Sequence, residues 1–600
     1  MTTSVPQGVL MGNEGLDPRN SLSDQQGEMQ MTDASLYQSD VNSQPLDVYM
    51  YYAAIERERE DNDPRPVPDA PWTVLYKTLL GKGHTVVTGD ENDPIAGSPA
   101  PNKSLEHEKD GDQFTNEKGG NVVRHQDLIS TKNEHALAYR LLRNASWQAV
   151  FYLITTDILG FSSAPESFQQ LGYGPGVLVY TFFFILAVGA GQVIYRLYLA
   201  LDSEKYPVKC YADLGERTFG RVVRHIFNIV QSFQLVFNVA LLIIGNGQTL
   251  ASLIEFKFCY IALNVFFAIL GGLGGQIRSL RNFAWFANIN IWLNIIVMLM
   301  TMIGIAKYAP VPGESNHTSL ADPIIVAGWV PSYTKGWYQQ VSGVQLAVFA
   351  YGGAMIFTEF MAEMRRPKDF WKAAFVAQLF CYLMYMFFGL FCYSFQGQYS
   401  SILPALDFAN RGLSLGANII GLVSTAIASV LYANIGVKVL YENVLRAYFH
   451  APELVTPKGR IVWTSSVIVY WALAWVIGSA IPNITALVTL VGAACILQFT
   501  YTFPPILLCG HWMQRDALLG DQPWEPGMAP GSNRIDTWRD LSRWKRGFLP
   551  YWYYKVFLIL LFLGALSLAG LGIYSGIETA IVAYAESATT AFSCIAPGQT

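Results

Sequence analysis

Charged residues are scarce in this sequence of 600 residues: Asp, Glu, Lys and Arg make up only 14% of it, while hydrophobic residues make up 52%. About a quarter of the residues of a typical soluble protein are charged, so the composition excludes that class and favours a membrane protein. The sequence also lacks a phosphate-binding loop, a metal-ligand cluster and a nucleophile arrangement. We therefore expect no enzyme, no cofactor and no nucleic-acid partner.

Cysteine is infrequent as well. The seven cysteines show no CxxC motif and no paired spacing. This pattern argues against a disulfide scaffold or a zinc module and predicts only local roles for the thiols. The first 30 residues contain no basic segment followed by an apolar one, so we expect no cleaved signal peptide and an amino terminus in the cytosol.

The charges divide the chain into two unlike parts. Residues 1–145 carry 13 basic and 23 acidic side chains, a net charge of −10, whereas residues 146–600 carry 27 and 22, a net charge of +5. Residues 1–145 are rich in polar residues, Gly and Pro, which predicts an acidic, mostly disordered cytosolic tail.

Two patches of the tail stand out. Asp47–Glu60 could form a short helix with aromatic anchors, and Pro71–Leu80 contains a Trp-Leu-Tyr-Leu-Leu pattern. Composition alone is compatible with a solvated tail and incidental aromatics. The alternative is that the patches dock on the cytosolic mouth of the membrane part or bind trafficking or ubiquitination machinery.

Apolar stretches of about 20 residues, each long enough to cross the hydrocarbon core as a helix, recur from Ser146 onward. We predict an all-α integral membrane protein with eleven transmembrane helices. They cover residues 146–171, 174–199, 222–248, 256–274, 283–306, 341–362, 371–396, 412–437, 461–482, 484–509 and 551–575.

The basic residues give these spans an orientation. Of the 27 Lys and Arg residues after residue 145, 23 fall in loops on one side. That side is expected to be cytosolic, because basic loops stay inside. Residues 576–600 then form a short extracytosolic tail, and the long outer loop contains a candidate glycosylation site at Asn316.

Two spans contain residues that interrupt helices. In the first, Gly160 relaxes φ and Pro165 removes a backbone donor, which predicts a break near 159–164. In the sixth, Gly352 and Gly353 give the same weakness at the same depth. Two such helices in one bundle indicate a transporter binding site, because freed amides and carbonyls can hold a zwitterion.

The breaks also occupy equivalent places in two halves. Spans 1–5 form a domain half at 146–306 and spans 6–10 form another at 341–509, each beginning with a broken helix. Because five is an odd number, the halves must have opposite orientations in the membrane. This predicts the inverted 5+5 repeat of many amino-acid and amine transporters, followed by helix eleven at 551–575 within a transporter domain of 146–575.

Four stretches carry a family resemblance. They read ILGFSSAP (158–165) with LGYGPGV (171–177), CYADLGERTFGR (210–221), FAYGGAMIFTEFMAEMRRPKDFWKA (349–373) and LYANIGVKVLYENVLRAY (431–448). With these motifs the sequence resembles the amino acid/auxin permease family, and within it the fungal neutral and aromatic amino acid permeases. The resemblance covers about 146–575.

An amino acid bound at the two breaks needs donors for its carboxylate, acceptors for its ammonium group and a pocket for its side chain. We predict that the backbone and side chains of the two breaks supply all three. The residues are Leu159, Gly160, Phe161, Ser162 and Ser163 in span 1, and Phe349, Ala350, Tyr351, Gly352, Gly353 and Ala354 in span 6.

The coupling ion is the second prediction. Asp157, just before the first break, and Glu166, just after it, are ionisable residues inside a span and therefore candidates for proton coupling. Related folds hold sodium between the first break and hydroxyls of span 8, which Ser424, Thr425 and Ser429 could supply here. The fungal resemblance favours protons over sodium.

The sequence therefore predicts a secondary transporter that imports neutral, including aromatic, amino acids by proton symport across the plasma membrane. A vacuolar exporter of the same family remains an alternative. From another class, an amino acid receptor that signals through its tail is the second alternative.

Overall fold

The computed structural model describes residues 44–62, 143, 145–276, 280–311, 323–446, 449, 451–452, 456–481, 483–586 and 590–597. Within these ranges the secondary structure is helical and no strand is formed. The helices are α1 Leu46–Asp61, α2 Trp147–Ile158, α3 Ala164–Leu171, α4 Tyr173–Leu201, α5 Tyr211–Phe219, α6 Arg221–Leu253, α7 Tyr260–Gly274, α8 Leu280–Lys307, α9 Trp337–Ala350, α10 Phe357–Glu363, α11 Phe370–Gln396, α12 Arg411–Leu440, α13 Pro457–Ala480, α14 Ile484–Val491, α15 Phe503–Ala517, α16 Leu541–Phe548 and α17 Trp552–Glu586. The predicted Asn316 site and the Pro71–Leu80 patch lie outside the described residues.

Nine helical segments of the described part are long and apolar enough to cross a membrane. Two of the eleven predicted spans are not among them. Region 146–171 is divided into α2 and α3, of 12 and 8 residues. In region 256–274 the helix α7 has 15 residues, which at 1.5 Å per residue extend only about 22 Å. It begins late because Glu255 and Phe256 have φ of 57° and 54° and form a turn.

The interrupted segments lie inside the bundle. Helix α12 packs against α6 and α8, and α2 packs against α8 and α11. Helix α3 packs against α9 and α11. The end of α2 and the start of α3 are therefore enclosed by α6, α8 and α12 on one side and by α11 on the other.

The carboxyl-terminal region differs from the prediction in two ways. Helix α17 continues to Glu586, beyond the predicted end at 575. In addition, Cys259 and Cys594 form a disulfide although 335 residues separate them. The expectation that cysteines have only local roles was therefore wrong. Spacing along the chain could not reveal the pair, because folding brings the segment after α17 to the start of α7, where Tyr260 N–H donates to the Cys594 carbonyl at 3.0 Å.

Helix α1 coincides with the short helix expected at Asp47–Glu60 and docks on the bundle. Its Tyr49 and Tyr52 rings make contacts with Tyr206, at centroid distances of 5.2 Å and 5.7 Å. Tyr52 also contacts Trp524. These partners lie in the α4–α5 and α15–α16 loops, both predicted to be cytosolic, so α1 covers the predicted cytosolic face.

Ion pairs hold the same helix at its other end. Arg57 pairs with the fully buried Asp202 at 3.1 Å, and the Arg143 guanidinium binds Asp202 at 3.0 Å. Lys368, between α10 and α11, donates its backbone N–H to Glu60 at 3.0 Å and its Nζ to the Arg57 carbonyl at 3.1 Å. Helix α1 therefore joins loops from both halves of the bundle.

Replacing Arg57 by alanine is expected to loosen α1, because the substitution removes one of the two guanidinium groups that neutralise the buried Asp202 carboxylate. Limited digestion of the purified protein with chymotrypsin should then cut at Tyr49 several times faster than in the wild type. Arg59→Ala is the matched control, since Arg59 is 55% exposed and exposed ion pairs contribute about 0–1 kcal/mol. Equal digestion rates for Arg57→Ala and the wild type would contradict the role of this ion pair.

Candidate functional site

The first interruption begins after Ile158. Leu159 has ψ of 68° and Gly160 has φ of −98° and ψ of 61°, which turns both residues out of the helical path. A 3₁₀ turn over Phe161–Ser163 then leads into α3. The sequence predicted that the φ of Gly160 and the missing N–H of Pro165 cause this interruption. In the structure Gly160 keeps a negative φ. Pro165 lies in the first turn of α3, where its missing N–H removes no helical hydrogen bond.

The second interruption brings the two halves into contact. Helix α9 ends at Ala350, and a 3₁₀ turn over Ala354–Ile356 precedes α10. Gly353 lies directly against the end of α2: a Cβ at this position would be 2.6 Å from Asp157 Oδ2 and 2.7 Å from Ile158 Cγ1. Real Cβ atoms essentially never come this close, so a larger residue here would force Asp157 and Ile158 or the second interruption to move.

Two tyrosine hydroxyls bind the freed backbone groups. Tyr385 on α11 accepts a hydrogen bond from Gly160 N–H at 3.3 Å. Its hydroxyl proton is shared between two acceptors, the carbonyls of Ala350, at 2.8 Å, and of Ile158. Tyr432 on α12 donates to the Asp157 carbonyl at 2.7 Å. A single hydroxyl on α11 thus connects the interruption after α2 with the one after α9.

Tyr385→Phe is expected to impair substrate binding, because it leaves these buried backbone groups without their partner, at a cost of about 1–3 kcal/mol. A role in positioning predicts that the KM of amino acid uptake rises about tenfold or more while the amount of protein at the cell surface is unchanged. The matched control is Tyr382→Phe on the same helix, whose hydroxyl bonds to Thr181 at 3.1 Å. An unchanged KM for Tyr385→Phe would rule out this role.

A cavity of about 260 Å³ lies beside the first interruption. It brings together many of the residues predicted from the sequence. These are Asp157, Leu159, Gly160, Phe161, Ser162, Ser163, Phe349, Gly352, Ser424 and Thr425. Residues 402–405 of the predicted extracytosolic loop also line it, so the cavity extends from the interruptions toward that side.

Other predicted residues lie outside the cavity lining. Tyr351 is fully buried and packs edge-on against Tyr385 with a centroid distance of 5.5 Å. Ala350, Gly353 and Ala354 are buried in the same region, behind the interruption. Glu166, on α3, accepts hydrogen bonds from Thr485 at 3.0 Å and Gln170 at 3.1 Å.

Asp157 is the acidic residue of the cavity lining. It is half-buried at the end of α2, and within the part of the chain that the structure describes no Lys, Arg or His forms an ion pair with it. Its carboxylate lies against Gly353, and its carbonyl is held by Tyr432. A carboxylate without a cationic partner inside a bundle is suited to taking up a proton or a cation.

The candidate sodium-binding hydroxyls bind asparagine side chains. Ser424 donates to Asn294 Oδ1 on α8 and Thr425 donates to Asn246 Oδ1 on α6, both at 2.5 Å. Ser429 bonds to the Ala426 carbonyl of its own helix and does not line the cavity. These hydroxyls therefore connect α12 to α6 and α8.

Sequence reasoning missed a group of asparagines opposite the interruptions. Asn238 and Asn246 on α6, Asn290 and Asn294 on α8, and Asn418 on α12 all line the cavity. A search confined to ionisable residues overlooks them because carboxamides carry no charge. Buried amides are nevertheless unfavourable in an apolar span, and the FANINIWLN pattern of α8 was a readable signal.

Comparisons with known proteins identify the family of this chain. The family described as transmembrane amino acid transporter protein matches residues 143–511. The N amino acid transport system protein of Neurospora crassa is 26% identical over 438 residues, covering 70% of this chain and 85% of that protein. Lysine histidine transporter-like 3 of Arabidopsis thaliana is 23% identical over 422 residues, covering 64% and 86%. The family match spans more than half of the chain, and the resemblance is confirmed: the chain belongs to the amino acid/auxin permease family and is a multi-pass membrane transporter of amino acids.

Proposed function

We propose that this protein imports neutral amino acids, aromatic ones included, by proton symport across the plasma membrane. The observation that supports this most is the meeting of the two interruptions beside a cavity that contains Asp157 without a cationic partner among the described residues. In this proposal Asp157 exchanges the coupling proton. Glu166 is the second candidate for that role.

The substrate's charged ends would bind to backbone groups. The first N–H groups of a helix have no acceptor within it, so the 3₁₀ turn at Phe161–Ser163 and the start of α3 can hold a carboxylate. Carbonyl groups of the Leu159–Gly160 and Phe349–Gly353 segments can accept hydrogen bonds from the ammonium group. This arrangement needs no charged side chain for either end, which favours neutral substrates.

Transport would follow from alternating access around the two interruptions. We propose that α2 with α3, and α9 with α10, are the first and sixth of eleven spans in an inverted repeat. The Cys259–Cys594 disulfide supports an extracytosolic carboxyl terminus, because disulfides persist in oxidising compartments. Helix α1 would then lie on the opposite, cytosolic face.

Uptake assays test this function. Cells expressing the protein should take up labelled phenylalanine or leucine faster at acidic than at neutral external pH, with or without sodium. Uptake that requires sodium and ignores pH would exclude proton coupling and favour the hydroxyls of Ser424 and Thr425 as a cation site. If the fluorescently tagged protein is found on the vacuole, vacuolar export replaces import as the proposed function.

A further inference from the structure

We infer that, among neutral amino acids, the cavity prefers those with a hydrogen-bonding side chain, a carboxamide or a hydroxyl, over aliphatic and aromatic ones, and that Asn238 and Asn290 are the specificity-determining residues. The inference rests on the proposed transport function and narrows its substrate class. It arises from the wall of α6 and α8 opposite the interruptions, where both side chains line the cavity.

Both carboxamides are buried and incompletely bonded. Asn238 is 6% exposed and Asn290 is 1% exposed. The Oδ1 atom of each lacks a hydrogen-bond partner within the described residues, as does the hydroxyl of Thr301, about three turns after Asn290 on the same face of α8. Buried polar atoms in native structures are almost always bonded. Three unbonded ones beside one cavity are therefore available to bond a substrate or a water molecule that enters it.

The other three asparagines of the cavity lining differ from Asn238 and Asn290 in their hydrogen bonds. Asn246 and Asn294 have their carbonyl oxygens occupied by Thr425 and Ser424. Asn418 donates to the Ala405 carbonyl at 3.0 Å. These three side chains are fixed by the protein itself, so Asn238 and Asn290 have the unused hydrogen-bonding capacity.

The cavity lining also contains apolar side chains, among them Ile484, Val488 and Ile496. A side chain with an apolar stem and a polar end matches this mixed lining. An aliphatic or aromatic side chain of similar size would press carbon atoms against the amides and leave them unbonded. Sites built to hydrogen-bond a substrate group discriminate strongly against analogues that lack it.

Pairs of substrates with nearly equal shape provide the test. Asparagine and leucine differ mainly in the polarity of the side-chain end, as do threonine and valine. We expect the wild-type protein to take up asparagine with a kcat/KM about tenfold or more above that of leucine. The double variant Asn238→Leu/Asn290→Leu should lower this ratio at least about tenfold. Because the ratio compares two substrates in one preparation, it does not depend on how much protein reaches the membrane.

Asn288→Leu is the matched control, since Asn288 is buried on the same helix and does not line the cavity; its ratio should equal the wild-type value. If the double variant does not fold, Asn290→Ser retains a hydrogen-bonding group and should keep a preference for asparagine. In the purified wild type, asparagine should raise the Tm more than leucine does at the same concentration.

The outcomes are distinguishable. Equal kcat/KM values for leucine and asparagine in the wild type, or a double variant that folds and keeps the wild-type ratio, would overturn the inference and leave the transport function intact. Uptake of none of the four amino acids, nor of phenylalanine, would overturn the proposed function, and the inference with it.

Discussion

Gly353→Ala is expected to reduce amino acid uptake by about five- to a hundredfold. The new methyl group would lie 2.6 Å from the Asp157 carboxylate and 2.7 Å from the Ile158 side chain. Overpacking of this kind costs about 1–3 kcal/mol, and about 1.4 kcal/mol corresponds to a factor of ten. Either the interruption after α9 moves away from α2 or the carboxylate leaves its place beside the cavity. Initial uptake rates at low substrate concentration measure the effect.

The control for this prediction is Gly189→Ala on α4, where an added Cβ meets no atom within 4 Å. That substitution should leave uptake unchanged, because alanine is a better helix former than glycine. The amount of each variant at the cell surface must be measured with the uptake rates. Wild-type uptake by Gly353→Ala would show that the close approach of the two interruptions is not required for transport.

Asp157→Asn is expected to abolish the dependence of uptake on the proton gradient. Asparagine has the same shape as aspartate but cannot exchange a proton, and Asp157 is the acidic side chain that lines the cavity. In reconstituted vesicles the wild type should accumulate substrate when the outside is acidic. The variant should lose this accumulation and retain exchange of labelled for unlabelled amino acid, which needs no gradient.

Glu166→Gln tests which of the two carboxylates, Asp157 or Glu166, carries the coupling proton. Glu166 lies outside the cavity lining and bonds to Thr485 and Gln170, and glutamine can keep one of these contacts. If Asp157 carries the coupling proton, Glu166→Gln retains acid-stimulated accumulation. Retention of the wild-type pH response by Asp157→Asn, together with its loss in Glu166→Gln, would transfer the role to Glu166.

Much of the architecture could be predicted from the sequence because it depends on local properties. The length of an apolar run predicts a span, and the helices end within a few residues of the predicted breaks near 159–164 and Gly352–Gly353. The same reasoning was less accurate where several residues cooperate. At Gly160 the turn arises from ψ rather than φ, and at 256–274 a turn at Glu255 and Phe256 shortens the helix.

The candidate site could be predicted only in part. Residues next to a break line the cavity because chain connectivity places them there, as for Asp157 and Phe161. Tyr351 is equally close to a break but faces an aromatic cluster. Successive residues at a helix end point in directions that differ by about 100°, so the packing of each segment decides which of two neighbours faces the cavity.

By itself, the sequence determined that this is a multi-pass helical membrane protein of the amino acid/auxin permease family, because composition, span length and motifs are properties of the linear chain. Only the tertiary structure decided that Tyr385 connects the two interruptions, that Cys259 pairs with Cys594 and that α1 docks on Asp202 and Lys368. It also decided which asparagines face the cavity. These contacts join residues far apart in the sequence, and they form only when packing fixes the rotation of each helix against its neighbours.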